Sequence, residues 1–238
     1  MTIYKLGNGK DVFNSATAQG WADGSEVFGQ NGVDAIIAVG NDLTLDGGNG
    51  VDSITATGNN NDLIGGLGSD KLSATGIGNT LNGGNGADTL ISVSAGTLLQ
   101  IGAGNTLEGG SSKDTFRLSN ASDLNVTNDT DGLINGGDQI VGVFDVISDY
   151  QRGENIDLNV KTEIDTLLGL DAAHHPLLGD GEYAGIRGDI TGAGQFMVDP
   201  HGGDLLIIYD QANGVDDTSL QGAVAVAGVT TLAGVHIV

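Results

Sequence analysis

The sequence predicts an all-β fold, a parallel β-solenoid with 18-residue coils followed by a smaller β-rich C-terminal capping region. A nine-residue phrase, Gly-Gly-x-Gly-x-Asp-x-apolar-x, carries that prediction, with full copies at Gly47 to Thr55, Gly65 to Ser73 and Gly83 to Ile91. A near copy runs from Gly29 to Ile37 with Gln30 at the second glycine, and a weaker one from Gly109 to Arg117 with Ser112 at the third. The aspartates Asp34, Asp52, Asp70 and Asp88 follow one another at intervals of 18 residues. A fixed period means one structural unit per repeat, stacked on its neighbours. Eighteen residues suit two short strands and two turns, and are too few for a helical hairpin. Composition agrees: glycine is 42 of 238 residues, against a usual share of about 7%, while apolar residues stay plentiful.

Each part of the phrase has a physical task. Glycines allow the positive φ that a tight turn needs and let backbone come close to an ion. The aspartates then fall along one edge at the strand spacing of about 4.8 Å. At about 5 Å, neighbouring carboxylates repel by roughly 0.8 kcal/mol even in water-like dielectric. A hard cation removes that repulsion. Calcium accepts six to eight oxygens, carboxylate and carbonyl alike, whereas zinc prefers the His or Cys that these loops lack. Calcium is therefore the expected cofactor.

The phrase resembles the calcium-binding nonapeptide repeats of the RTX (repeats-in-toxin) proteins, β-rolls exported by type I secretion. That resemblance covers about a third of the chain. It implies ligands from the carboxylates of Asp34, Asp52, Asp70 and Asp88. Backbone carbonyls of Gly29, Asn31, Gly47, Asn49, Gly65, Leu67, Gly83 and Asn85 would join them, with those of the intervening Gly32, Gly48, Gly50, Gly66, Gly68, Gly84 and Gly86. Four loops in register would make three shared sites.

The opposite edge departs from that pattern. Half a coil after each phrase stand Gly58 to Leu63 and Gly76 to Leu81, with Asn61 and Asn79 where an Asp would be. An uncharged asparagine ladder is the plainer reading there. Leu45, Leu63, Leu81 and Leu107 should face inward from this side, against Ile36, Ile54, Leu72, Leu90 and Phe116 from the other.

Four segments follow: an N-terminal cap over 1–28, calcium-binding coils over 29–119, a linker over 120–138, and a β-rich capping and secretion region over 139–238. Trp21 is expected to plug the amino-terminal end of the core. The apolar insertion Ser92 to Ile101 either packs over the coils or meets a partner. Asp145, Asp149 and Asp157 either hold a further calcium or are exposed acids. Lys161 to Leu170 is expected to be a short helix, and Phe196 to Asp199 with Leu205 to Tyr209 a hairpin.

A net charge of −23 excludes nucleic acid as a partner, because phosphate binding needs basic patches. No segment holds 18 uncharged apolar residues, so no transmembrane segment is expected. Without cysteine there is no disulfide framework. The histidines His174, His175, His201 and His236 form no His-Glu-x-x-His motif, no nucleophile elbow is present, and no catalytic role is expected. The sequence thus points to a secreted, calcium-dependent structural protein of a matrix or surface layer that folds on binding calcium and associates with itself. The alternative is a calcium-dependent polysaccharide-binding or targeting module of an adhesin or polysaccharide-modifying enzyme.

Overall fold

The computed structural model describes residues 1–96, 104–122, 124–128, 133–134, 136–142, 144–158, 160, 162–163, 178, 181–192, 194–210 and 222–238. The chain divides into two compact units, one of residues 1–93 and 105–117, the other of residues 94–104 and 118–238.

In the first unit the chain alternates between two sets of parallel strands. One set holds β1 (Ile3–Lys5), β3 (Glu26–Phe28), β4 (Asn31–Gly32), β6 (Thr44–Gly50), β8 (Asp62–Leu67), β10 (Thr80–Asn85) and β12 (Thr106–Ser111). The other holds β2 (Val12–Asn14), β5 (Ala35–Val39), β7 (Ser53–Thr57), β9 (Lys71–Thr75), β11 (Thr89–Gly96) and β13 (Thr115–Ser122). Side chains alternate along each strand, so every second residue enters the interior. The register places Val27, Leu45, Leu63, Leu81 and Leu107 in one buried column. Phe13, Ile36, Ile54, Leu72 and Leu90 form the facing column. Both inward columns expected from the periodicity are found. At the amino-terminal end Trp21 packs its ring 5.4 Å from Phe13 and 5.9 Å from Tyr4, and its indole N–H donates to the Val39 carbonyl at 2.7 Å.

The second unit is built differently. It contains β14 (Asn125–Thr127), β15 (Gln139–Val141), β16 (Asp145–Ile147), β17 (Asn155–Asp157), β18 (Thr162–Glu163), β19 (Glu182–Gly192), β20 (Gln195–Val198), β21 (Asp204–Tyr209), β22 (Gly222–Val226) and β23 (His236–Ile237). The pairs β14–β15, β15–β20, β19–β20, β19–β21 and β21–β22 are antiparallel, whereas β16–β22, β17–β23 and β18–β19 are parallel. Leu205 to Tyr209 and Ala223 to Val226 are buried at every position, so these strands are covered on both faces. Ile140, Phe144, Phe196 and Leu206 centre their core.

These observations correct the expected fold class. Among the described residues the strands form two separate sheets, of fifteen and eight strands, with mixed parallel and antiparallel pairing. That is not one parallel solenoid of uniform 18-residue coils. The spacing along the aspartate register itself is uneven, 23 residues from Asp11 to Asp34 and 26 from Asp88 to Asp114. The second unit is the larger of the two rather than a smaller cap. The two residues that separate β19 from β20 are too few for a crossover, so these strands can pair only antiparallel. The RTX β-roll resemblance fails on the same ground. With it go the calcium-triggered, self-assembling matrix or surface-layer protein and its polysaccharide-binding alternative, because both depended on that architecture.

Smaller corrections follow. Phe196 to Asp199 and Leu205 to Tyr209 are not a hairpin, because β19 lies between them and pairs with each. The helix expected over 161–170 lies outside the described residues except for Thr162 and Glu163, which form β18. Residues 97–101 of the insertion, together with His174 and His175, also lie outside the described residues.

Two departures from the phrase keep the backbone that glycine would take. Gln30 sits at φ 74° where its counterparts Gly48, Gly66 and Gly84 have φ 93°, 105° and 95°, and Ser112 sits at φ 101°. Positive φ costs an L-residue roughly 1–2 kcal/mol. Gln30→Gly and Ser112→Gly should therefore each raise stability by about 1 kcal/mol. Urea unfolding of each variant measures the gain, and unchanged midpoints would show that these turns hold no such strain.

Candidate cation edge

Each phrase turns the chain from a strand of one set to a strand of the other, and its aspartate comes just before the second strand. There it is almost wholly enclosed: Asp34, Asp52, Asp70 and Asp88 are 1 to 2% exposed. One carboxylate oxygen of each is accounted for. The Asp34 amide donates to Asp52 Oδ1 at 2.7 Å, that of Asp52 to Asp70 Oδ1 at 2.7 Å, and that of Asp70 to Asp88 Oδ1 at 2.7 Å. The ladder reaches further than the four aspartates of the 18-residue beat. The Asp11 amide donates to Asp34 Oδ1 at 2.8 Å, and the Asp88 amide to Asp114 Oδ1 at 2.8 Å. Both additions carry the phrase's Asp in the sequence, at offsets of 23 and 26 residues.

The second oxygen is the unusual feature. Oδ2 of Asp34, Asp52, Asp70 and Asp88 is buried and has no hydrogen-bond partner. Such an atom ordinarily costs about 1–3 kcal/mol, and more when charged. Asp11 differs, because its Oδ2 accepts the Gly7 amide at 2.7 Å.

Glycine leaves room beside these oxygens. A methyl group placed on Gly65 would lie 2.7 Å from Asp70 Oδ2 and 2.5 Å from the Gly83 carbonyl oxygen. On Gly83 it would lie 2.5 Å from Asp88 Oδ2 and 2.7 Å from the Gly109 carbonyl oxygen, and on Gly47 2.6 Å from Asp52 Oδ2 and 2.9 Å from that of Gly65. The same convergence involves Gly29, Asp34 and the Gly47 carbonyl. A carboxylate oxygen and a carbonyl oxygen of the following repeat therefore meet beside Gly29, Gly47, Gly65 and Gly83. Gly48, Gly66 and Gly84, and likewise Gly32, Gly50, Gly68 and Gly86, stack against the preceding repeat at positive φ.

Other candidate residues lie elsewhere. The side chains of Asn31 and Asn49 are exposed and bond to each other, Asn49 Nδ2 donating to Asn31 Oδ1 at 2.7 Å. The Asn85 carbonyl accepts the Gly68 amide at 2.8 Å, and the Leu67 side chain faces solvent. Asp145, Asp149 and Asp157 are not gathered into one site: among the described residues no group of three or more His, Cys, Asp or Glu could hold a metal ion. His201 lies on the surface 3.5 Å from Asp199, and His236 Nδ1 is 2.6 Å from Asn155 Oδ1.

The opposite edge provides an internal comparison. The Leu43 amide donates to Asn61 Oδ1, that of Asn61 to Asn79 Oδ1 and that of Asn79 to Asn105 Oδ1, each at 2.9 Å. This is the expected asparagine ladder, built as the aspartate ladder is. An amide brings its own donors, and Asn105 Nδ2 reaches Ser92 Oγ at 2.8 Å. A carboxylate brings a second acceptor and a charge.

The charge is felt. Burial pushes the carboxyls of Asp52 and Asp70 above the ordinary range, opposed by the amides bonded to them and reinforced by the preceding carboxylate. The same causes, with Asp114 adding to the repulsion, push Asp88 up to about 6. A scan against protein-family models and a search of curated proteins both find no match for the chain.

The sign of the pH effect follows. A carboxyl that holds its proton more tightly in the folded state stabilises that state below its unfolded value, and the contribution is lost as pH rises through the folded value. For Asp88 the window runs from 3.8 to about 6. In metal-free buffer the melting temperature should fall between pH 4.5 and pH 7, and Asp88→Asn should flatten that fall. A melting temperature that climbs through the same window would show that the ladder carboxylates are already balanced.

Proposed function

We propose that the edge carrying Asp34, Asp52, Asp70 and Asp88 binds divalent cations, and that the protein is a calcium-binding protein. The observation that carries this reading is the row of buried Oδ2 atoms without partners, each converging with a carbonyl oxygen of the following repeat. A cation between repeats would satisfy both oxygens and offset the repulsion along the row. Calcium suits a site whose remaining donors are carbonyls, because it tolerates mixed oxygen ligands in flexible geometry. Magnesium demands near-ideal octahedral geometry, and the edge has no His or Cys for zinc. The repetition of one carboxylate environment favours binding over catalysis, since acid-base chemistry uses carboxyls whose environments differ.

Calorimetric titration at pH 7.5 should give saturable heat with calcium and far less with magnesium. Ligand at 100 times Kd stabilises the folded state by about 2.7 kcal/mol, which differential scanning would register as a higher melting temperature. Gly65→Ala, which places a methyl group between Asp70 Oδ2 and the Gly83 carbonyl, should reduce the number of ions bound. Absence of both heat and stabilisation at millimolar calcium would overturn the proposal.

A further inference from the structure

Asparagine followed by glycine occurs seven times, at Asn8, Asn31, Asn49, Asn82, Asn85, Asn135 and Asn213. The first five lie among the described residues. In such a pair the backbone nitrogen of the glycine can attack the side-chain Cγ of the asparagine, because no Cβ stands in the way. The freedom of that nitrogen decides whether it does, since its N–H must first be given up. An amide that donates within a sheet is protected from losing its proton.

Four of the five are protected. Gly32, Gly50 and Gly83 lie within β4, β6 and β10, and the Gly86 amide donates to the Ser111 carbonyl at 3.1 Å. Gly9 is the exception. It sits in a bend outside any strand, exposed as Asn8 is, and its amide has no acceptor among the described residues. A methyl group placed on Gly9 would meet nothing within 4 Å, so the backbone there has room to turn. Asn31 Nδ2 donates to Asn8 Oδ1 at 2.9 Å, which draws electron density from Cγ and does not involve Asn8 Nδ2. Asn31 Oδ1 receives the same bond from Asn49. The two asparagines therefore differ in the glycine amide that follows them, and not in the activation of the side chain.

We propose that Asn8 is a site of self-modification, at which the folded chain converts this asparagine to aspartate and isoaspartate. Gly9 N bonds to Asn8 Cγ and its proton passes to solvent; the Cγ–Nδ2 bond breaks, and the nitrogen takes a solvent proton and leaves as ammonia. Water then opens the five-membered imide at either carbonyl. One opening gives aspartate, and the other routes the backbone through the side chain and lengthens it by a methylene. The Gly9 carbonyl packs against the Gly32 Cα, so the longer product unseats the first repeat from the second. Either product adds a carboxylate three residues before Asp11, at the start of the aspartate row.

The test is peptide mapping by mass spectrometry of the full chain after days in mildly alkaline buffer. Asn8 should convert several-fold faster than Asn31, Asn49, Asn82 or Asn85, and in denaturing urea all five should react at similar rates. Gly9→Ala, for which there is space, should slow conversion of Asn8 several-fold at unchanged circular dichroism. Conversion of Asn49 or Asn85 in the folded chain as fast as Asn8, an Asn8 that stays an amide when folded yet reacts in urea, or a Gly9→Ala rate equal to the parent's would each overturn the assignment.

Discussion

A backbone amide donating to the carboxylate of the next repeat is the interaction on which the first unit depends. The bond from Asp52 to Asp70 and its equivalents fix where one strand ends and the next begins, and they hold the repeats in register at the turn. They also fix the difficulty. Binding one oxygen in this way carries the whole carboxylate out of water, and the other oxygen arrives where no donor waits. Position and electrostatic imbalance thus share one cause.

The two edges of the unit show the alternatives open to a repeating chain. With asparagine at Asn61, Asn79 and Asn105 the same amide-to-side-chain ladder forms without charge, although Asn61 Nδ2 is left buried without a partner. With aspartate it closes geometrically and remains unbalanced. Burial above all, reinforced by a carboxylate on either side, pushes Asp88 up to about 6. A chain needing only a structural ladder has the asparagine solution already in hand. Its retention of aspartate on one edge alone is the physical reason to assign that edge to cations.

Much of the first unit was legible because period and burial report the same thing. Leucine or isoleucine every 18 residues, offset by half a repeat between the two edges, marks both core columns. The aspartate row was legible for the same reason. Its ends were legible too, since Asp11 and Asp114 stand in further copies of the phrase, after insertions that break the beat while preserving the bond. The unpartnered Oδ2 atoms were out of reach, since a motif names a residue and not the fate of its second oxygen. In the second unit the signals were local and misleading. Leu205 to Tyr209 announces a buried strand, but nothing in it says that its neighbour is β19 rather than β20. Gly185 and Gly188 lower the β-propensity of β19, a residue type depleted in strands, yet it pairs on both sides. Tertiary pairing overrode propensity there, and the mixed topology followed.

The central claim is that these buried carboxylates are a burden when bare and an asset when a cation is present. Replacing two of them by the residue that the opposite edge already uses tests it most directly. Urea unfolding of the chain carrying Asp52→Asn and Asp70→Asn, beside the parent, should give opposite signs in two buffers at pH 7.5. The variant should be the more stable protein in chelator and the less stable one in millimolar calcium. A difference of the same sign in both buffers would contradict the account.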